Sequence, residues 1–172
     1  MTTDELVIQV GKEAAHELSD ALGKIKHCVD QLDDARVWSR PHPSTNSIGN
    51  LLLHLEGNLT QWIVCGIGGA EDHRNRPAEF AEQGPIPKSN LIRRLEIAVA
   101  NARAAFERLS GDELMRVRRI QGFDVTGLAA VFHSVPHFRG HTQEIVHLTR
   151  MILGDEYRIQ WQPMTNEQGA SN

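Results

Sequence analysis

The sequence predicts an all-α fold, a four-helix bundle. Apolar residues recur at i, i+3 and i+4 in four separate stretches, as they do on the inward face of a helix. No stretch alternates convincingly between apolar and polar residues, as a half-buried strand would. The length of 172 residues and a hydrophobic share of 40% suit one globular unit with its own core. We therefore expect residues 1–172 to form a single helical-bundle domain.

The first two helices are predicted at residues 4–34 and 47–65. In the first, the apolar positions include Leu6, Val10 and Leu18. In the second, Asn46 is a suitable N-cap and Gly66 stands where a helix commonly ends. The proline-containing segment 39–44 separates them.

The last two helices are predicted at residues 89–109, capped by Ser89 or Asn90, and at residues 125–153, with Pro136 inside. A long polar loop, residues 71–87, precedes the third helix and could shape the mouth of a site. Residues 112–123 are expected to be irregular or short and extended. The tail, residues 155–172, carries Tyr157 and Trp161 and is expected to pack across the bundle.

Charge and cysteine content exclude several classes of protein. The formal charge is −4, so no basic field exists to attract nucleic acid or anionic lipid. The chain has no run of 18 apolar residues, which a membrane-spanning helix would need. Cys28 and Cys65 lie outside any CxxC motif, and the first residues lack the pattern of a signal peptide. We expect reduced thiols and a cytoplasmic protein that binds neither nucleic acid nor membrane.

The fourth predicted helix carries the strongest chemical motif. His137 and His141 are four residues apart, which places both imidazoles on one helix face, and Glu144 follows on the same face. Two imidazoles at this spacing can bind one metal ion from a single helix. The alternative is a solvated pair without a ligand, which a histidine-rich chain can produce by chance.

The second predicted helix supplies a third histidine. His54 lies on a stripe with Asn50 and Asn58 that is polar but uncharged, and Glu56 carries the only charge between residues 46 and 65. A solvated helix face normally carries Lys and Glu. The stripe therefore favours an internal polar cavity, although a surface histidine remains the simpler alternative.

Three histidines from two helices leave coordination positions open, which is typical of catalytic rather than structural metal sites. Neutral imidazoles suit Zn or Ni, and also Fe or Cu. Asn50 and Asn58 are predicted to lie around the metal. His133 could pair with His137 by spacing, but we interpret it as a residue beside the ligands or the substrate, because Pro136 makes its direction uncertain.

A di-iron centre is the competing metal hypothesis. The chain contains two Glu-x-x-His units, Glu13 to His16 and Glu144 to His147, and ferritin-like bundles use such units. Glu56 and Glu96 would have to complete the set. Two directions argue against a di-iron centre: Glu56 projects away from His54, and His147 is rotated away from His137 around the helix.

Two segments carry a resemblance to a known family. Residues 46–59, Asn-Ser-Ile-Gly-Asn-Leu-Leu-Leu-His-Leu-Glu-Gly-Asn-Leu, and 137–145, His-Phe-Arg-Gly-His-Thr-Gln-Glu-Ile, resemble the DinB/YfiT-like superfamily. The match is closest to an uncharacterised subfamily, and residues 72–80 also resemble it. The resemblance implies a dimeric four-helix bundle with an unusual connection order. It places the family's metal triad on His54, His137 and His141.

The resemblance also implies an activity. Better-known relatives are metal-dependent transferases and isomerases that use low-molecular-weight thiols such as bacillithiol, mycothiol or glutathione. This chain departs from them at Glu144, where relatives often have Gln, so a carboxylate could act as a base or orient a histidine. Three hypotheses follow: thiol S-transfer to a small molecule, metal-assisted hydrolysis with Glu144 as base, and a non-catalytic structural or interaction protein.

Overall fold

In the part of the chain that the structure describes, four long and three short α-helices form the architecture. The computed structural model describes residues 2–160. The long helices are α1 (Thr3–Asp30), α3 (Ile48–Leu59), α5 (Lys88–Phe106) and α7 (Gly127–Leu153). The short helices are α2 (Asp34–Trp38), α4 (Arg76–Ala81) and α6 (Gly111–Met115). The predicted all-α bundle is confirmed, and none of the helices in residues 2–160 is both long and apolar enough to cross a membrane.

The four long helices form a ring in which α1 and α3 lie diagonally opposite each other. Helix α1 packs mainly against α5 and α7, and α3 packs mainly against the same two helices. Consecutive long helices of a simple bundle would be neighbours. Here the chain crosses the bundle between α1 and α3 through α2, which agrees with the unusual connection order that the resemblance implied.

Helix α3 is the most enclosed element. Every residue from Ile48 to Leu59 is buried except Glu56, which is partly exposed. Its N-terminus is closed by a capping box in which Ser47 and Asn50 bond each other's backbone N–H. The cap is thus Ser47 rather than the predicted Asn46. The helix continues into a π-helical turn, Thr60–Cys65, so the predicted segment 47–65 is helical but changes its winding at residue 60.

Several predicted boundaries were wrong. Helix α1 ends at Asp30, and α2 takes up part of the remaining segment. Helix α5 begins at Lys88 after Pro87, without a side-chain cap from Ser89 or Asn90. Helix α7 begins at Gly127, capped by Thr126, and continues through Pro136.

The segment predicted to be irregular or short and extended, residues 112–123, holds most of α6 and strand β1 (Val117–Ile120) of an antiparallel hairpin. Its second strand, β2 (Phe123–Thr126), extends into the start of the predicted fourth helix. Its two-residue turn places Gln121 and Gly122 at positive φ, the conformation of a tight hairpin turn. Ile120 of β1 lies against Gly66, where a Cβ atom would collide with it. The hairpin therefore closes over the end of the π-helical turn.

The tail prediction is confirmed as far as residue 160. Tyr157 packs against the core, and the backbone N–H of Arg158 donates to Gln31 Oε1 at 2.8 Å. Trp161 lies outside the described residues.

The core makes a direct prediction about stability. Leu18 in α1 is fully buried, whereas Leu6 in the same helix is 48% exposed. We expect Leu18→Ala to lower the free energy of unfolding by about 3 kcal/mol, since it leaves a cavity among α1, α5 and α7. The matched Leu6→Ala should cost less than about 1 kcal/mol. Urea titration followed by circular dichroism measures both, and equal losses would contradict this packing.

Candidate metal centre

The polar stripe of α3 faces the interior, as its lack of charge predicted. His54 is 5% exposed, and Asn50 and Asn58 are also buried. Because α3 is enclosed on nearly all sides, a polar group on it must find a partner inside the protein. His54 therefore has to be satisfied by neighbouring elements or by a ligand.

Helix α7 brings two more imidazoles to His54. His137 Nε2 lies 3.0 Å from His54 Nε2, and each of His54, His137 and His141 offers a ring nitrogen within 4.8 Å of the others. Three nitrogens on a tetrahedral zinc ion would stand about 3.4 Å apart. The donor set therefore fits a divalent metal after small side-chain adjustments. The sequence-predicted triad comes together in the structure.

Carboxylates hold the outer nitrogens of two of these rings. Glu79 Oε2 lies 2.9 Å from His54 Nδ1, and Glu144 Oε2 lies 2.7 Å from His141 Nδ1. When Nδ1–H donates to a carboxylate, the lone pair of Nε2 is free for a metal, and this pairing is common around metal-bound histidines. The sequence left two roles open for Glu144, a base or an orienting residue; here its carboxylate contacts a candidate ligand.

The electrostatics favour a neutral imidazole at His137. Burial, with the nearby His141 and His54, lowers the pKa of His137 from 6.5 to about 4. Burial alone would raise the pKa of Glu79, but hydrogen bonds from Arg74 and His54 outweigh it and lower that pKa below its usual value. The centre thus combines a neutral ligand with an ionised carboxylate behind it.

The cluster is closed on one side and open on the other. The side chains of His54 and Glu79 are 6% and 10% exposed, whereas those of His141 and Glu144 are 25% and 44% exposed. Phe80 covers the His54 ring with centroids 4.9 Å apart. A small molecule would therefore approach from the α7 side.

His133 lies beside the triad without joining it. Its ring stacks on Trp62 at 3.8 Å between centroids and lies nearly parallel to His137 at 5.8 Å. Burial, followed by the charge of Arg74, lowers its pKa. The structure thus places His133 against an aromatic side chain at the edge of the centre.

The two asparagines have structural contacts. Asn50 is used by the α3 cap and donates from Nδ2 to the backbone carbonyls of Glu79 and Glu82 at 2.9 and 2.8 Å. Asn58 Oδ1 accepts from Ser134 on α7 at 3.3 Å. The carboxamide of Asn50 is thus bonded to the segment that carries Glu79, and its predicted role around the metal stays a prediction.

The alternative di-iron set does not assemble in the described residues. Glu56 pairs with Arg94 and Glu96 with Lys26, and the group of His, Cys, Asp and Glu within metal-binding distance in residues 2–160 is the histidine triad. Sequence reasoning missed Glu79. The signal was weak, since Glu79 lies in a polar, proline-containing loop that predicts a solvated surface.

Residues 9–165 match a family whose description is "Protein of unknown function (DUF1572)". The chain belongs to this family. No curated protein matches it.

Three solved structures share the fold of this protein. A conserved protein from Enterococcus faecalis is 17% identical, with a TM-score of 0.64 over 90% of this chain and 99% of the other. DinB-like proteins from Bacillus subtilis (15%, TM-score 0.64, covering 88% and 99%) and Bacillus cereus (14%, TM-score 0.61, covering 88% and 95%) are also similar. At these identities the likeness establishes the bundle fold.

The lowered pKa of His137 makes the stability of the metal-free protein depend on pH. The unfolded chain binds a proton at His137 below about pH 6.5, while the folded chain does so only near pH 4. Stability should therefore fall as the pH falls from 6.5 to 4, by about 1–3 kcal/mol from this residue.

The measurement is chemical unfolding at several pH values after chelation of metals. His137→Gln should flatten this part of the profile, whereas His147→Gln, at an exposed position of the same helix, should leave it unchanged. If stability changed with pH equally in wild type and His137→Gln, His137 would have the same pKa in the folded and unfolded chain, which would contradict the prediction.

Proposed function

We propose that His54, His137 and His141 bind one divalent metal ion and that the protein is a metal-dependent transferase acting on a small molecule. The observation that carries the proposal is the convergence of three imidazole nitrogens inside the bundle, two of them with Nδ1 held by carboxylates. A surface histidine cluster would lack a buried partner such as Glu79. Zn or Ni suits this donor set, and Fe or Cu is compatible.

The metal would supply Lewis acidity that lowers the pKa of a thiol. We propose a low-molecular-weight thiol as co-substrate, whose sulfur forms a bond to an electrophilic carbon while the leaving group departs with its electron pair and the thiol proton passes to solvent. The chain's own residues have separate tasks. Glu79 holds His54, Glu144 holds His141 at the open side, and Phe80 excludes water from the closed side.

A metal-assisted hydrolase remains the alternative, with Glu144 as base. Glu144 accepts from His141 Nδ1, so hydrolysis would require that bond to be exchanged for one to water. Turnover of activated esters without a thiol would favour hydrolysis. Homodimerisation stays a prediction from the resemblance.

Metal content tests the first step. We expect about one divalent metal per chain in untagged protein, and loss of that metal in His54→Ala, His137→Ala and His141→Ala with helicity retained. His16→Ala, an exposed histidine of α1, is the control and should keep its metal. Elemental analysis with circular dichroism gives both readouts. Wild-type protein that stays metal-free after incubation with Zn or Ni would rule the proposal out and favour a structural or interaction protein.

A further inference from the structure

We propose that Glu79 and Arg74 are positioning residues of the metal centre, which fix the tautomer and direction of His54 before a metal binds. The inference deepens the function proposed above and rests on it. Its geometric basis is the bond between His54 Nδ1 and Glu79 Oε2 at 2.9 Å, between two side chains that are almost fully buried. Arg74 Nη2 also lies 3.1 Å from His54 Nδ1, but the carboxylate of Glu79 can only accept, so its shorter contact places the proton on Nδ1. With Nδ1 as the donor, Nε2 presents its lone pair to His137 and His141.

The carboxylate of Glu79 uses both oxygen atoms. Arg74 Nε donates to Oε1 at 2.7 Å, and Arg74 Nη2 donates to Oε2 at 2.9 Å, beside the bond from His54. The guanidinium neutralises a charge that would otherwise be buried without a partner. A carboxamide has only one acceptor oxygen, so Gln at this position could not accept all three bonds.

Arg74 is itself fixed to the helix that carries His54. Its Nη1 donates to Gln61 Oε1 at 2.9 Å, and its side chain is 4% exposed. Gln61 belongs to the π-helical turn and donates to Asp72 Oδ2 at 2.8 Å, while Asp72 Oδ1 accepts from the Arg74 backbone N–H at 3.0 Å. The ion pair between Arg74 and Glu79 is therefore bonded to His54 of α3 on one side and to Gln61 of the π-helical turn on the other.

Gly57 provides the space for this pair against α3. A Cβ atom at residue 57 would stand 3.0 Å from Arg74 Nε and closer still to Glu79 Oε1. Only a residue without a side chain lets the carboxylate lie flush on the helix next to His54. Asn50 then holds the backbone of Glu79 and Glu82, and Arg40 donates to Asn50 Oδ1 at 2.9 Å. Through these contacts the segment between α3 and α5 is fixed against α3 and holds Glu79 beside His54.

The principal test measures metal affinity in Glu79→Gln by competition with a chromophoric zinc chelator. We expect the dissociation constant for Zn to rise about 10–100-fold, the usual effect of losing the partner of a metal-bound histidine. Glu71→Gln is the matched control, since Glu71 is a carboxylate of the same loop with an 82% exposed side chain. It should bind zinc as wild type does.

A second variant allows for the case in which Glu79→Gln fails to fold. The double change Arg74→Met with Glu79→Leu replaces the buried ion pair by apolar side chains of similar volume, an exchange that often leaves stability intact. It also removes the carboxylate that accepts the hydrogen bond from His54 Nδ1. We expect the same loss of zinc affinity in a folded protein.

A metal-free readout separates this inference from the proposed function. Long-range ¹H–¹⁵N correlation spectra of chelator-treated protein should show His54 protonated at Nδ1 in wild type and Glu71→Gln, and mixed between tautomers in both Glu79 variants. Wild-type tautomer and wild-type zinc affinity in the Glu79 variants would overturn the inference. A wild-type protein that binds no zinc would overturn the proposed function, while the tautomer of His54 would still decide the role of Glu79.

Discussion

The buried hydrogen bond between Glu79 and His54 is the interaction on which the rest of the centre depends. It joins two residues that the sequence separates by 25 positions, one in the enclosed helix α3 and one in the short helix α4. A carboxylate in such a place is costly unless it is neutralised and fully bonded, and Arg74 meets both conditions. The path of the loop between α3 and α5 is thereby constrained by the chemistry of one histidine.

The same constraint explains how α3 can be both buried and polar. A helix enclosed on nearly all sides would be expected to carry apolar residues throughout. Asn50, His54 and Asn58 are tolerated because each has a partner from another element, α4 and its flanks for the first two and Ser134 of α7 for the last. The diagonal arrangement of α1 and α3 leaves one flank of α3 available for the loop that supplies these partners.

The sequence predicted the four long helices and the triad because both depend on local spacing. Periodic apolar residues define a helix face, and an uncharged polar stripe indicates an interior position. The capping box of α3 was also readable, since Ser47 and Asn50 have the required spacing, and recognising it would have placed the N-cap at Ser47 rather than Asn46.

The contacts of Glu79 and His133 depend on features that spacing does not encode. Glu79 reaches His54 only because Gly57 leaves a gap on a helix more than twenty residues earlier. His133 stacks on Trp62, which lies in the π-helical turn, and such a turn shifts the direction of every residue within it relative to a regular helix. Both contacts are tertiary, so no local pattern predicts them.

The two carboxylates that contact the triad are in different environments, which assigns them different tasks. Glu79 is buried and bonded to Arg74 as well as to His54, so releasing it would leave two charges without partners in a medium of low dielectric constant. Glu144 is 44% exposed, and water could solvate it if it left His141. Exchanging that bond for a contact with a bound molecule therefore costs little. We expect Glu79 to stay hydrogen-bonded to His54, and Glu144 to be the carboxylate that can contact a substrate.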